Sequence, residues 1–321
     1  MTKILVTGSS GFVGSCLIEK LIENVDFQVT ALVRRAPAKT NECIHYHCLA
    51  DFAQIDAGHE SLKNIDVVIH LASRVHVMND TEVDPLAAFR AINVGHTLSL
   101  ARSAAMSGAK RFIFVSSVKV NGEGTTPGHP YRETDTPNPV DFYGISKLEA
   151  EEGLRLVAAE TGMEVVIIRP VLVYGPGVKA NFESMMKWLR KGIPLPFGAI
   201  RNQRSLVALD NLVDLILTCV NHPAAADQTF LVSDGEDVST TQLLVKLANA
   251  LNSPSRLLPV PSWLLTASAT LLGKKALSQR LCGSLQVDIT KARLLLGWHP
   301  VLTLDQALRK TAVHFINEQN Q

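Results

Sequence analysis

The sequence predicts an α/β protein: a doubly wound parallel sheet with a smaller C-terminal α/β domain. Three observations point there. Short apolar runs alternate with helical patterns at regular intervals along the chain. A glycine-rich turn, Gly8-Ser9-Ser10-Gly11-Phe12-Val13-Gly14, follows the first apolar run directly. Candidate site residues fall just beyond the ends of those runs, the edge where open α/β sheets bind ligands.

The elements read in order as follows. Ile4-Leu5-Val6 is a buried-strand signal, and Cys16–Ile22 a helix. The glycine turn between them lets the backbone bend and lets a pyrophosphate approach, while the helix start offers unpaired N–H groups to the anion. Its G-x-x-G-x-x-G spacing differs from the G-x-G-x-x-G of ordinary Rossmann dehydrogenases. Gln28–Val33 is the second strand, ending at Arg34 and Arg35, where an NAD enzyme tends to carry an acid. Guanidinium groups suit a ribose 2′-phosphate, so NADP is expected ahead of NAD.

Ile44–Cys48 is a third strand, leading to Asp51 and Phe52. Asp66–Ala72 is a fourth, and a helix runs from Pro85 through Asn93 to Ala105. Arg111–Ser117 is a fifth, ending in hydroxyls. Asp141 is a candidate cap for the next helix, and Glu164–Pro170 is the sixth strand. Beyond Pro170, Val173–Gly177 reads as a loop, Phe182–Leu189 as a helix and Leu206–Leu209 as a strand. Helices are expected over Asp210–Val220, Ser239–Leu251 and Leu304–Asn317, with a strand at Thr229–Val232. Val260–Leu272 reads as a packed helix. The expected division is a dinucleotide-binding domain over 1–170 that also receives 204–232, and a second domain from 171–203 and 233–321.

Tyr143 and Lys147 stand four apart on one helix face. An ammonium beside a phenol favours the phenolate, so the pair could pass a proton to or from a hydroxyl or carbonyl.

Size and composition fit these readings. The 321 residues can bury a sizeable core, and the 46% apolar and 19% charged fractions are ordinary for a globular protein. The net charge of +1, with no basic stripe, argues against nucleic acid. No apolar run has the length of a membrane span, the start lacks a signal-peptide layout, and five scattered cysteines suit a reduced, cytoplasmic setting. Cys43, His45, His47 and Cys48 are metal-ligand types, but on a strand Cys48 points away from the others, so no metal site is expected.

Taken together, the motifs resemble the extended short-chain dehydrogenase/reductases that include nucleotide-sugar epimerases, dehydratases and 4-ketoreductases. Thr7–Gly14 is similar to that family's T-G-x-x-G-F-[IV]-G, and His70–Ser73 to its H-x-A-A. Asn93 matches its helix asparagine, Ser116–Gly122 resembles S-S-x-x-V-Y-G, and Tyr143–Lys147 is similar to Y-x-x-x-K. Arg169–Gly177, Arg204–Leu212 and Leu296–Pro300 resemble R-P-x-x-V-Y-G-P-G, R-x-[FY]-[IV]-H-V-x-D-L and L-G-W-x-P.

The resemblance implies roles. Tyr143 would be the general acid/base, Lys147 its partner, and Ser117 would hydrogen-bond the reacting oxygen. Gly8, Ser10, Gly11, Phe12, Val13, Gly14, Arg34, Arg35, Asp51 and Phe52 would hold the cofactor. Leu71, Ala72, Ser73, Asn93, Val115, Pro170 and Val173 would complete that site with Tyr143 and Lys147. Arg74, Lys119 and Asn121 would lie near the sugar, and Asn181, Arg204 and Arg280 would face a nucleotide diphosphate, UDP by expectation. A homodimer is expected through the helices bearing Asn93 and Tyr143. The Ser116–Glu123 stretch resembles the reductases, so the expected activity is NADPH-dependent reduction of a UDP-4-keto-6-deoxy-N-acetylhexosamine at C4 for surface polysaccharide. A UDP-glucose or UDP-N-acetylglucosamine 4-epimerase using NAD is the alternative. A dehydratase lacks support, because Val118-Lys119 follows Ser117 where that group uses an Asp-Glu pair. A non-catalytic NADP-binding scaffold would tend to lose the tyrosine or the lysine, and both are present.

Overall fold

Alternate residues of the first strand enter opposite cores. Ile4 and Val6 pack into one, Leu5 into the other. The computed structural model describes residues 1–37, 40–51, 54–75, 84–271, 273 and 275–319, with 275–278 described by their backbone alone. Its strands are β1 (Thr2–Thr7), β2 (Phe27–Val33), β3 (Ile44–Cys48), β4 (Val67–His70), β5 (Arg111–Val115) and β6 (Glu164–Pro170). Then follow β7 (Leu172–Tyr174), β8 (Arg204–Ala208), β9 (Thr229–Val232) and β10 (Asp237–Val238). The large sheet runs β3-β2-β1-β4-β5-β6-β9, every pair parallel. With both faces covered, the inner strands β4, β5 and β6 are near-continuous apolar runs, whereas the edge strand β3 is partly exposed.

The helices of the first part are α1 (Phe12–Ile22), α2 (Pro85–Arg90), α3 (Thr97–Met106) and α4 (Phe142–Thr161). Next come α5 (Ala180–Arg190), α6 (Leu209–Asn221) and α7 (Thr240–Ala250). The last are α8 (Ser262–Leu271), α9 (Lys275–Cys282), α10 (Thr290–Leu296) and α11 (Leu304–Gln319). Helices α1 and α6 cover one face of the sheet, α3 and α4 the other. A third core, including Tyr174, Phe182, Leu244 and Leu308, joins α5, α7 and α11 to the small sheet β10-β8-β7. No described helix is long and apolar enough to cross a membrane.

Four local readings change. The helix over 85–105 is interrupted by a π-turn at Ala91–His96, centred on Asn93. Val173 and Tyr174 form β7 because they gain a partner strand in β8. Of the segment 204–232, β9 joins the large sheet while β8 lies in the small one. Helix α8 has no buried residue, so over Ser262–Leu271 the expected packed helix is not packed in a core.

One buried ion pair ties the middle of the sheet to α4. Glu151 is wholly buried and Arg169, on β6, is 2% exposed. The guanidinium donates twice to the carboxylate, Nε at 2.9 Å and Nη2 at 2.6 Å. Ser116 Oγ donates to the same carboxylate at 2.6 Å, and Arg169 Nη1 to Asn121 Oδ1 at 3.0 Å. Removing one partner strands a buried charge, so Glu151→Ala is expected to lower stability by about 3–5 kcal/mol in urea unfolding. Arg155, a half-exposed neighbour of the same carboxylate at 3.5 Å, provides the control: Arg155→Ala should cost under about 1 kcal/mol.

Candidate active site

The glycine turn sits where the strand order reverses, between β1 and β4, at the carboxyl edge of the sheet. Gly8 has a φ of +71°, and Gly11 N–H closes the turn on Gly8 O at 3.0 Å. A Cβ on Gly14 would lie 2.0 Å from that same carbonyl oxygen, so only glycine lets α1 pack this close. Helix α1 starts without a side-chain cap and has no acid in its first turn. Its first N–H groups therefore face an anion position with nothing negative beside them. Ser10 and Gly11 are exposed, while Phe12 and Val13 are half-buried. This cradle fits a dinucleotide pyrophosphate.

The other cofactor candidates ring the same edge. Arg34 and Arg35 are exposed just past β2. Leu71 and Ala72 are half-buried past β4, where Leu71 N–H donates to Thr7 O at 3.2 Å and Ala72 N–H to Thr7 Oγ1 at 3.3 Å. Pro170 ends β6 in the interior, and Val173 is half-buried on β7. Asp51 is exposed, with Oδ1 3.3 Å from His96 Nε2. Phe52 lies outside the described residues.

Asp141 caps α4, accepting from Gly144 N–H at 2.7 Å, and so fixes the turn that carries Tyr143. Gly144 belongs there because a Cβ would meet Lys119 O at 2.9 Å. Tyr143 is half-buried and edge-on to Phe89 at 6.4 Å between centroids. Lys147 is buried, and its ammonium donates to Val115 O at 2.9 Å, 4.4 Å from the Phe114 ring centre and 5.8 Å from that of Tyr143. The expected depression of the phenol is absent. Burial pushes Tyr143 up to about 12, with Ser73 opposing and the Asp141 carboxylate adding to the rise. Burial also pushes Lys147 down to about 7, with Glu151 opposing. Proximity along the helix is real, but the ammonium reaches past the tyrosine to β5, and burial outweighs it. Ser117 starts a 3-10 turn, Val118–Val120, which packs against α4; its oxygen accepts from Lys119 N–H at 3.3 Å and keeps its proton to donate.

Asn93 is the hub behind this pair. Its Oδ1 accepts from Ser73 Oγ at 3.1 Å and Arg74 N–H at 2.8 Å. Its Nδ2 donates to Arg74 O and to Ser146 Oγ, each at 3.0 Å. Those bonds occupy the side chain, so it orders the β4 loop and α4, whereas the resemblance places it at the cofactor. His70 extends the chain inward: its ring nitrogens bond Thr7 Oγ1 at 2.7 Å and Thr97 Oγ1 at 3.0 Å, and Thr97 Oγ1 donates to Asn93 O at 2.8 Å. Sequence reading missed Thr97, Ser146 and Glu151. The last two had a signal, since Ser146 lies between Tyr143 and Lys147 and Glu151 one turn beyond.

The substrate candidates separate. Arg74 stacks on Phe89, its Cζ 5.4 Å from the ring centre, on the ring that also meets Tyr143. Asn121 is buried, receiving Arg169 and donating to Arg132 O at 3.1 Å, so its side chain serves the interior and not the sugar. The Lys119 ammonium pairs with Glu123 at 3.0 Å and with Asp141, and so secures the α4 cap. Arg204 Nη1 donates to the carbonyls of Arg280 and Gly283 at 3.0 and 3.1 Å, and burial lowers its pKa, with Glu123 opposing. Arg280 and Asn181 are exposed, the latter in the first turn of α5.

Burial holds His70 neutral, with its pKa pushed down to about 3, Lys147 and His96 adding to the effect. The unfolded chain binds a proton at this histidine below about pH 6.5, where the folded one does not. Stability from this group is thus complete above about pH 6.5 and falls as pH drops towards 3. His70→Asn should flatten that part of the curve of urea midpoint against pH; an unchanged slope would show the histidine to be thermodynamically silent.

Comparison with known proteins agrees with this architecture. Residues 4–233 match the family described as NAD dependent epimerase/dehydratase. A UDP-glucose 4-epimerase of Vibrio cholerae is 49% identical over 99% of this chain and 97% of its own length. An N-acetyl-alpha-D-glucosaminyl-diphospho-ditrans,octacis-undecaprenol 4-epimerase of Escherichia coli O157:H7 is 29% identical over 96% of this chain and 93% of its own. The crystal structure of UDP-glucose 4-epimerase with UDP-glucose from Thermotoga maritima superposes with a TM-score of 0.78 at 25% identity, covering 99% of this chain and 100% of that one. The chain belongs to the NAD dependent epimerase/dehydratase family, as an extended short-chain dehydrogenase/reductase of the nucleotide-sugar type.

Proposed function

We propose that this protein is a UDP-hexose 4-epimerase, acting on UDP-glucose or UDP-N-acetylglucosamine with NAD retained through each turnover. The observation that carries the reading is the 49% identity, over nearly the whole chain, to the Vibrio cholerae protein of that name. The reductase reading rests on Ser116–Glu123. Two of its distinguishing side chains, Lys119 and Asn121, serve the α4 cap and the interior, so they lend no weight to a particular sugar. Arg34 and Arg35 favour NADP, but an epimerase returns its cofactor to the starting state and needs no external reductant. The family's description supports NAD.

When bound, NAD would supply a hydride acceptor and donor and the positive charge of its oxidised ring, held by the glycine turn and the residues past β2 and β4. The protein's own groups handle the proton. Tyr143 takes it from the 4-hydroxyl as the C4–H bond breaks and returns it after the keto sugar has turned over. The Ser117 hydroxyl positions that oxygen. Because Tyr143 sits high, at about 12, added positive charge is what brings the phenolate within reach. Among this chain's own groups, Ser73 opposes the rise, while the Lys147 ammonium is held on Val115 O. Arg74 is the charged side chain stacked beside the tyrosine ring system, and we assign it to the sugar; Asn181, Arg204 and Arg280 are assigned to the diphosphate end.

Incubated with UDP-glucose and followed by proton NMR, the purified protein should form UDP-galactose until the two reach equilibrium. NAD(P)H absorbance should show no net change. Tyr143→Phe should slow turnover by about a hundred- to ten-thousand-fold while leaving the fold intact. Stoichiometric NADPH oxidation by a UDP-4-keto-6-deoxy sugar, without epimerisation, would restore the reductase reading. Undiminished turnover in Tyr143→Phe would move the acid/base role elsewhere.

A further inference from the structure

Helix α8 stands outside all three cores. None of its residues is buried, and Trp263 is 70% and Leu271 89% exposed. Leu258, in the approach to the helix, and Leu264 are also exposed. Trp263, Ala267 and Leu271 follow at steps of four, which lines them along one side of the helix. From 257 to 273 the sequence carries no charged residue. The helix hydroxyls turn back to its own backbone: Thr266 Oγ1 donates to Ser262 O at 3.0 Å, Ser268 Oγ to Leu265 O at 3.0 Å and Thr270 Oγ1 to Thr266 O at 2.8 Å. Such bonds lower the cost of placing a hydroxyl in apolar surroundings.

The flanks of this segment are basic. Arg256 precedes it and Lys274 and Lys275 follow it in sequence, with no acidic residue anywhere from 238 to 287. Bridges between Leu195 and Leu257 and between Ala199 and Pro261 bring the loop after α5 alongside. That loop follows the exposed Arg190 and Lys191. An apolar helix with a tryptophan, in a stretch of sequence whose flanks are basic and carry no acid, suits the interface of an anionic bilayer. It suits a second copy less well: a two-fold contact sets a patch against itself, so the basic borders would meet each other.

We propose that α8 docks this protein on an anionic membrane surface, lying in the interface without spanning it. The test is co-sedimentation of the full chain with sucrose-loaded vesicles of phosphatidylglycerol and phosphatidylethanolamine, against vesicles of phosphatidylcholine alone. The protein should sediment with the first and not the second, and binding should weaken with salt. The combined variant Trp263→Ser, Leu264→Ser and Leu271→Ser should lower the partition coefficient at least about tenfold. Arg190→Gln with Arg256→Gln should also lower it about tenfold, and only for the anionic vesicles. Both variants should keep the wild-type melting temperature. Absence of sedimentation, equal binding to both vesicle types, or undiminished binding by the apolar variant would overturn the proposal. A wild-type dimer that the same variant makes monomeric, with no vesicle binding, would assign the face to self-association instead.

Discussion

The Glu151–Arg169 ion pair is the constraint on which the site depends. A carboxylate and a guanidinium with almost no solvent must be fully bonded to be tolerated, and these are: Arg169 donates twice, and Ser116 and Asn121 complete the set. The consequence is positional. Glu151 lies one turn after Lys147 on α4, Arg169 is the last residue of β6 but one, before Pro170, and Ser116 and Ser117 follow the end of β5. One network therefore sets the height of α4 against β6 and against β5, whose end carries both Ser117 and the Val115 carbonyl that accepts from Lys147.

A second network, at the other end of the same helix turn, sets its direction. Asn93 links the loop after β4 to Ser146, and His70 with Thr7 and Thr97 links that loop back to the glycine turn. The π-turn fits this arrangement, since it is where Asn93 meets three separate partners at once. The glycine turn and the helix turn that carries Tyr143 are thus joined by hydrogen bonds through the interior. Both networks hold groups at the carboxyl edge of the sheet.

Much of this is legible in the residues. The strands, the glycine turn and the Asp141 cap follow from patterns that depend on a few neighbours in sequence. So does the approach that forbids a side chain at Gly14, since its clash is with Gly8, six residues away. What is not legible depends on where a long side chain ends. Sequence spacing places Lys147 beside Tyr143, but only the fold shows its ammonium spent on Val115 O and the phenol raised by burial. Asn121 and Lys119 follow Ser117 closely enough to suggest a shared ligand. The short turn after Ser117 instead sends one to Arg169 and the other to Asp141. Similarly, an apolar run announces that a surface is to be covered without saying by what, and α8 does not join the core that its composition suggests.

In the proposed 4-epimerase reaction one site removes hydride from C4, keeps it and returns it to the opposite face while Tyr143 handles the proton. The most direct measurement uses UDP-glucose carrying deuterium at C4, incubated in ordinary water. The label should remain at C4 in the UDP-galactose formed, with no exchange into solvent. Loss of the deuterium to water, or its appearance in free reduced cofactor, would contradict it.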